Sequence, residues 1–195
     1  MDKIKRLNMK GLILNNESQW VPITISPEEV KLGVDMGTLQ ESESVKLGLK
    51  DRSFSGNKND SLNRSIAAKQ AELAVRRFGG NTARVVGINE FHDFADVGQV
   101  NVRYTFDVGF GLMITNRDQG LVPMVLVTGK CPDFKLMGWI VPDYMRQMLY
   151  KVHQGRNEDC QSEFGFLQEM KEYEAFQVNM QCLLPMKYLN KELVK

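Results

Sequence analysis

Asp96-Val97-Gly98-Gln99-Val100-Asn101-Val102-Arg103 is the stretch on which the reading of this chain turns. From Val100 to Phe106 polar and apolar residues alternate, the pattern of a half-buried strand. Successive strand residues point to opposite faces. Asn101 and Arg103 therefore share one side, and Val102 turns toward the core. Asp96 stands five positions before Asn101, and the intervening Val97-Gly98 lets the chain bend. A polar strand edge, with Arg103 paired to Asp96 or Asp107, accounts for the same pattern without any chemistry.

Outward from this strand, the order of elements predicts an α+β fold. Ser26-Pro27-Glu28-Glu29 is a helix start: Ser26 caps, Pro27 suits the first turn and Glu29 closes a capping box. That helix is expected to run to about Leu47, with Val30, Val34 and Leu39 in its apolar face. Residues 51–60 read as a mobile loop. A second helix is expected over Leu62–Phe78, capped by Asp60 or Ser61 and stopped by Gly79-Gly80. Its alanines Ala67, Ala71 and Ala74, with Leu62, Ile66 and Leu73, predict a mostly buried helix. Glu72 lies among them and needs a reason, because a carboxylate in such surroundings is costly unless paired. Exposure, or pairing with Arg76 one turn on, would supply one.

Short strands are expected at 11–14, 21–25, 83–88, 100–106, 110–115, 122–128 and 134–141, the last several as a meander with turns at 116–120 and 129–133. Pro142-Asp143 opens a helix. One helix, several strands at hairpin spacing and another helix point to a mixed sheet rather than a doubly wound one. In the tail, 154–162 reads as a loop and 164–173 as a short helix. Leu183, Leu184, Met186 and Leu189 predict docking on the core. The chain is read as a single domain over 1–195: an N-terminal helical region (about 1–60), a core (about 61–150) and a C-terminal extension (about 151–195).

Composition sets limits. The 195 residues carry 43% hydrophobic and 25% charged residues, ordinary for a globular domain. Net charge is +1, so a general basic coat for nucleic acid is absent, although a local patch remains compatible with it. The three cysteines, Cys131, Cys160 and Cys182, lie far apart without CxxC spacing, which argues against zinc and for a reducing cytosol. No leader and no run of roughly 20 apolar residues is seen, so a membrane partner is not expected.

The landmarks beyond the motif are Ile23-Thr24-Ile25-Ser26-Pro27-Glu28, Ala71-Glu72-Leu73-Ala74, Asp96-Val97-Gly98 with Val102-Arg103-Tyr104-Thr105, and Asp118. Val125-Leu126-Val127-Thr128-Gly129, Gly138-Trp139-Ile140 and Leu184-Pro185-Met186 complete them. In order and spacing, over most of the chain, they resemble a family of phage proteins with the PD-(D/E)XK, restriction-endonuclease-like fold. That resemblance implies a restriction-endonuclease-like core: a central mixed β-sheet flanked by helices, plus a C-terminal extension. It also implies a nuclease site. Carried over by position, Asp96 is a metal ligand, Asn101 replaces the acidic ligand, Arg103 replaces the lysine and Glu72 is the helix carboxylate. The cofactor implied is Mg²⁺ or Mn²⁺, which polarises phosphate and acidifies bound water. Asn101 offers oxygen without charge, and Arg103 is always protonated and cannot act as a base, though it can hold a phosphate bidentately.

Two functions follow. In the first, the chain is a phage-encoded nucleic-acid-processing enzyme of the host cytoplasm that hydrolyses DNA phosphodiester bonds. In the second, the nuclease fold has degenerated into a module that binds DNA, a host or phage protein, or a sister subunit. Other candidates are weaker. Glu90, His92 and Asp93 resemble a ligand cluster but more often form a solvated loop. Arg64, Lys69, Arg76 and Arg77 make a candidate basic stripe for a DNA backbone. Met145, Met148, Met180 and Met186 offer a soft partner surface, with core filling as the blander account.

Overall fold

The computed structural model of the chain describes residues 15–46, 58–81, 95–107, 111–115, 118, 120–144, 160–162, 165–170 and 173–195. The strand expected at 11–14 and that at 83–88 lie outside the described residues, as do Glu90, His92, Asp93, Met145 and Met148.

The fold is α+β. A strand, β1 (Val21–Thr24), leads into helix α1 (Pro27–Lys46). The capping box forms as read. Ser26 N–H donates to Glu29 Oε2 at 2.7 Å and Glu29 N–H to Ser26 Oγ at 3.3 Å. Helix α2 (Lys58–Phe78) begins earlier than expected, so Asp60 and Ser61 lie inside it. It ends where the glycines stand. Gly80 takes φ +96°, and Asn81 N–H donates to Arg76 O at 3.0 Å, satisfying a terminal carbonyl.

The two helices pack closely, but of the apolar face expected for α1 only Val30 packs against the core. Val34 and Leu39 are exposed, at 39% and 56%, and the buried residues are Gly33 and Gly37. A Cβ on Gly37 would fall 2.5 Å from Ile66 Cα. Contact here is backbone against backbone, which a hydrophobicity pattern does not register.

Among the described residues, α2 is followed by β2 (Asn101–Thr105), β3 (Leu112–Thr115), β4 (Met124–Lys130), β5 (Asp133–Ile140) and β6 (Cys160–Ser162). The hairpin β7 (Gly165–Met170) and β8 (Tyr173–Val178) completes the set. They form two open sheets of four, ordered β1-β5-β4-β2 and β3-β8-β7-β6. The first is mixed: β2 runs parallel to β4, with Val102 opposite Val125, and β1 and β4 flank β5 antiparallel. The expected meander is therefore broken at β3, which leaves the first sheet to pair with β8. The helix expected over 164–173 is instead the β7–β8 hairpin. Residues 165–170 of that stretch yield to ladder pairing with β6 and β8, the kind of tertiary override to which strands are prone.

The first sheet lies between two apolar layers. One face buries Val102, Val125, Val127, Phe134 and Leu136 against Ala71, Ala74 and Val75 of α2. The other buries Leu126 and Met137 against Leu112, Ile114 and Val178 of the second sheet. The tail docks on this core. Leu183, Met186 and Leu189 are buried, and Trp139 and Leu184 exchange backbone hydrogen bonds of 2.9 and 2.8 Å. Met186 is thus core rather than partner surface. Among the described residues no helix is long and apolar enough to cross a membrane.

Candidate functional site

The predicted motif sits at an edge of the first sheet, on β2. The turn before the strand is tight: Val97 and Val100 exchange backbone hydrogen bonds of 3.0 and 2.9 Å. Gly98 at its corner has φ +56°, and a Cβ there would lie 2.7 Å from Leu193 O. Both the left-handed backbone and the close tail require glycine. The turn carries Asp96 back along the edge of β2 away from β4, where its Oδ2 accepts the Val102 N–H at 2.7 Å.

The strand alternates as read. Val102 is buried, while Asn101 and Arg103 are part-exposed. Asn101 N–H donates to Pro123 O at 2.8 Å, which starts the β2–β4 pairing. The Arg103 guanidinium lies 3.9 Å from Asp96 Oδ2 and makes its direct ion pair elsewhere, with Asp118 Oδ1. The other Asp118 oxygen accepts from Thr115 N–H at 2.8 Å and Thr115 Oγ at 2.9 Å. Asp118 therefore ties β2 to the end of β3, and Arg103 is held at the seam between the two sheets.

Glu72 arrives from α2 and is 6% exposed. Its partner is neither solvent nor Arg76. Lys69, one turn earlier and 1% exposed, donates to both carboxylate oxygens at 2.9 Å. The stretch from Lys69 to Val75 is buried throughout, so Lys69 does not belong to a surface stripe as its sequence position suggested. Burial pushes the Glu72 carboxyl up to about 7 and the charge of Asp96 adds to this; Lys69 and Arg103 oppose it. Glu72, Asp96 and Arg103 thus lie near enough for the charges of the last two to act on the Glu72 carboxyl.

Two partners of these residues were not assigned to the candidate site from the sequence. Lys69 carried a usable signal, the i, i+3 spacing to Glu72 within an apolar run. Asp118 carried little, because its distance from Arg103 along the chain is bridged only by the fold.

The donor set matches Mg²⁺ or Mn²⁺ poorly. Such ions take oxygen ligands, usually including carboxylates not already neutralised. Here Glu72 faces an ammonium, Asp96 Oδ2 holds a backbone N–H with a guanidinium close by, and Asn101 adds no charge. Among the described residues no group of three His, Cys, Asp or Glu side chains could hold a metal ion. Comparison of the chain with protein-family models, with curated proteins and with solved structures finds no match.

Proposed function

We propose that this chain is a phage-encoded DNA-binding protein of the host cytoplasm, built on a restriction-endonuclease-like core that no longer cleaves. The observation that carries this reading is the internal pairing of the motif. Asp96 is bonded to Val102 N–H, Arg103 to Asp118 and Glu72 to Lys69. Residues that would hold metal and phosphate in a nuclease are here taken up internally: Asp96 closes the turn onto β2, Arg103 ties β2 to the end of β3 through Asp118, and Glu72 is paired within α2. Removing one partner of such a pair leaves the other uncompensated, so a structural role is enough to retain these residue types.

Calorimetric titration with Mn²⁺ and Mg²⁺, on wild type and Asp96→Ala, tests this directly, together with cleavage assays on single- and double-stranded DNA. The expected result is no saturable cation binding and no cleavage in either protein. Saturable binding that disappears in Asp96→Ala, accompanied by Asp96-dependent cleavage, would establish the opposite reading: Mg²⁺- or Mn²⁺-dependent phosphodiester hydrolysis.

A further inference from the structure

A basic surface is built where the tail docks against the end of α2. Residues 180–182, 186–188 and 191–194 form successive 3-10 turns. Val194 is buried against the end of α2, where a Cβ on Gly79 would lie 2.8 Å from the Val194 Cβ. Gln99 N–H donates to Leu193 O at 2.7 Å, which joins the same segment to the Asp96 turn. The tail is thus a fixed part of the surface running from α2 to the edge of β2.

Its charge is lopsided. Segments 76–81 and 187–195 carry Arg76, Arg77, Lys187, Lys191 and Lys195. Among the described residues, the carboxylates that pair with them are Glu29, with Arg77 at 2.7 Å, and Glu192, with Lys195 at 2.6 Å. Three positive charges are left in excess here, although the whole chain carries only +1. A cation at the C-terminal end of α2 is favoured by the helix dipole, but one would suffice. Lys187 and Lys191 are exposed. The Lys191 ammonium is steered over the Phe78 ring, 4.8 Å from its centroid. Tyr188, 52% exposed, stands between them in sequence and presents an aromatic hydroxyl.

We infer that Lys187, Lys191 and Lys195, with Arg76 and the Tyr188 hydroxyl, form a binding surface for the phosphate backbone of double-stranded DNA. The inference rests on the DNA-binding reading above and names where on the molecule it is carried out. The lysines recur every four residues. Lys187 belongs to the 186–188 turn, Lys191 opens the 191–194 turn and Lys195 caps its end, so the three lie on consecutive turns of one docked segment. Several cations gathered on one docked segment suit a polyanion that presents charge every few ångströms along its axis. Backbone contacts of this kind position a protein on the duplex without reading sequence, as lysine and tyrosine side chains commonly do.

Fluorescence anisotropy of a short labelled DNA duplex, titrated with the full chain at several salt concentrations, tests the assignment. Lys187→Gln/Lys191→Gln is compared with wild type and with Lys130→Gln/Lys135→Gln, which removes two exposed lysines of β4 and β5. Thermal melting confirms that each variant is folded. The tail variant is expected to bind about tenfold more weakly. Its plot of log K against log salt should be shallower by about 2, since each phosphate no longer neutralised removes about 0.9 from the slope. The control variant should match wild type. Wild-type binding that both variants retain equally would overturn this surface and leave the DNA-binding reading standing. No binding by wild type would overturn that reading, and this surface with it. Binding to phosphatidylserine vesicles but not to duplex would also overturn the inference.

Discussion

Lys69 donates to both carboxylate oxygens of Glu72 at 2.9 Å, and the two side chains are 1% and 8% exposed. A buried pair of this kind is costly to break and cheap to replace as a whole. Lys69→Met should therefore lower stability by about 3–5 kcal/mol at pH 8, because Glu72 loses its counter-charge and must either stay buried as an uncompensated carboxylate or take up a proton. The double variant Lys69→Met/Glu72→Leu should recover to near wild type or above it. Urea denaturation of the three proteins checks this. A double variant no better than Lys69→Met would mean that the pair supports more than its own charges.

The same carboxylate makes stability depend on pH. Burial raises Glu72 from 4.5 to about 7 in the folded protein. The folded state therefore keeps a proton that the unfolded chain releases between these values. Stability attributable to Glu72 is highest below pH 4.5, falls as pH rises toward 7, and levels off above it. The shift corresponds to a loss of about 3 kcal/mol. Denaturation midpoints measured from pH 5 to 8 should fall for wild type. In Glu72→Gln this slope should be absent.

The packing of α1 on α2 rests on two glycines, and they should not tolerate alanine equally. A Cβ at Gly37 meets Ile66 Cα at 2.5 Å and Ile66 N at 2.6 Å, atoms that move only if a helix moves. A Cβ at Gly33 meets Gln70 Cγ at 2.5 Å, part of a side chain that can turn aside. Overpacking costs about 1–3 kcal/mol, with Gly37→Ala expected at the upper end and Gly33→Ala at the lower. Melting temperatures rank the two.

What the sequence disclosed divides along the range of the interactions. Ser26 and Glu29, three residues apart, announced the start of α1, and Gly79-Gly80 announced the end of α2, because caps are local. The alternation around Val102 was equally legible. Val34 and Leu39 misled, since α1 meets α2 through glycines that carry no hydrophobic signal. The 164–173 segment misled because the ladder partners that hold its residues 165–170 as a strand, β6 and β8, lie outside the stretch being read. In the candidate site, Asp96 and Arg103 were found from one strand's spacing. Asp118, which takes up the Arg103 charge, becomes its neighbour only through the crossover that sets β2 beside β4.

Asp96 offers the sharpest separation of structural from chemical roles. Its Oδ2 satisfies a backbone N–H on an edge strand at 2.7 Å, and its charge faces Arg103 at 3.9 Å. Asparagine in this place retains an oxygen acceptor and loses the charge; alanine loses both. If Asp96 serves to close the edge of β2, Asp96→Ala should cost about 1–2 kcal/mol, as expected for an unmade hydrogen bond to a charged acceptor. Asp96→Asn should cost less than half of that. Hydrogen exchange at the Val102 amide adds a local readout: faster exchange in Asp96→Ala, near wild type in Asp96→Asn. A metal ligand would order the variants differently, because asparagine and alanine would then abolish cation binding alike while stability without cation changed little. Equal stability of the two variants, together with loss of cation binding in both, would return Asp96 to a catalytic role.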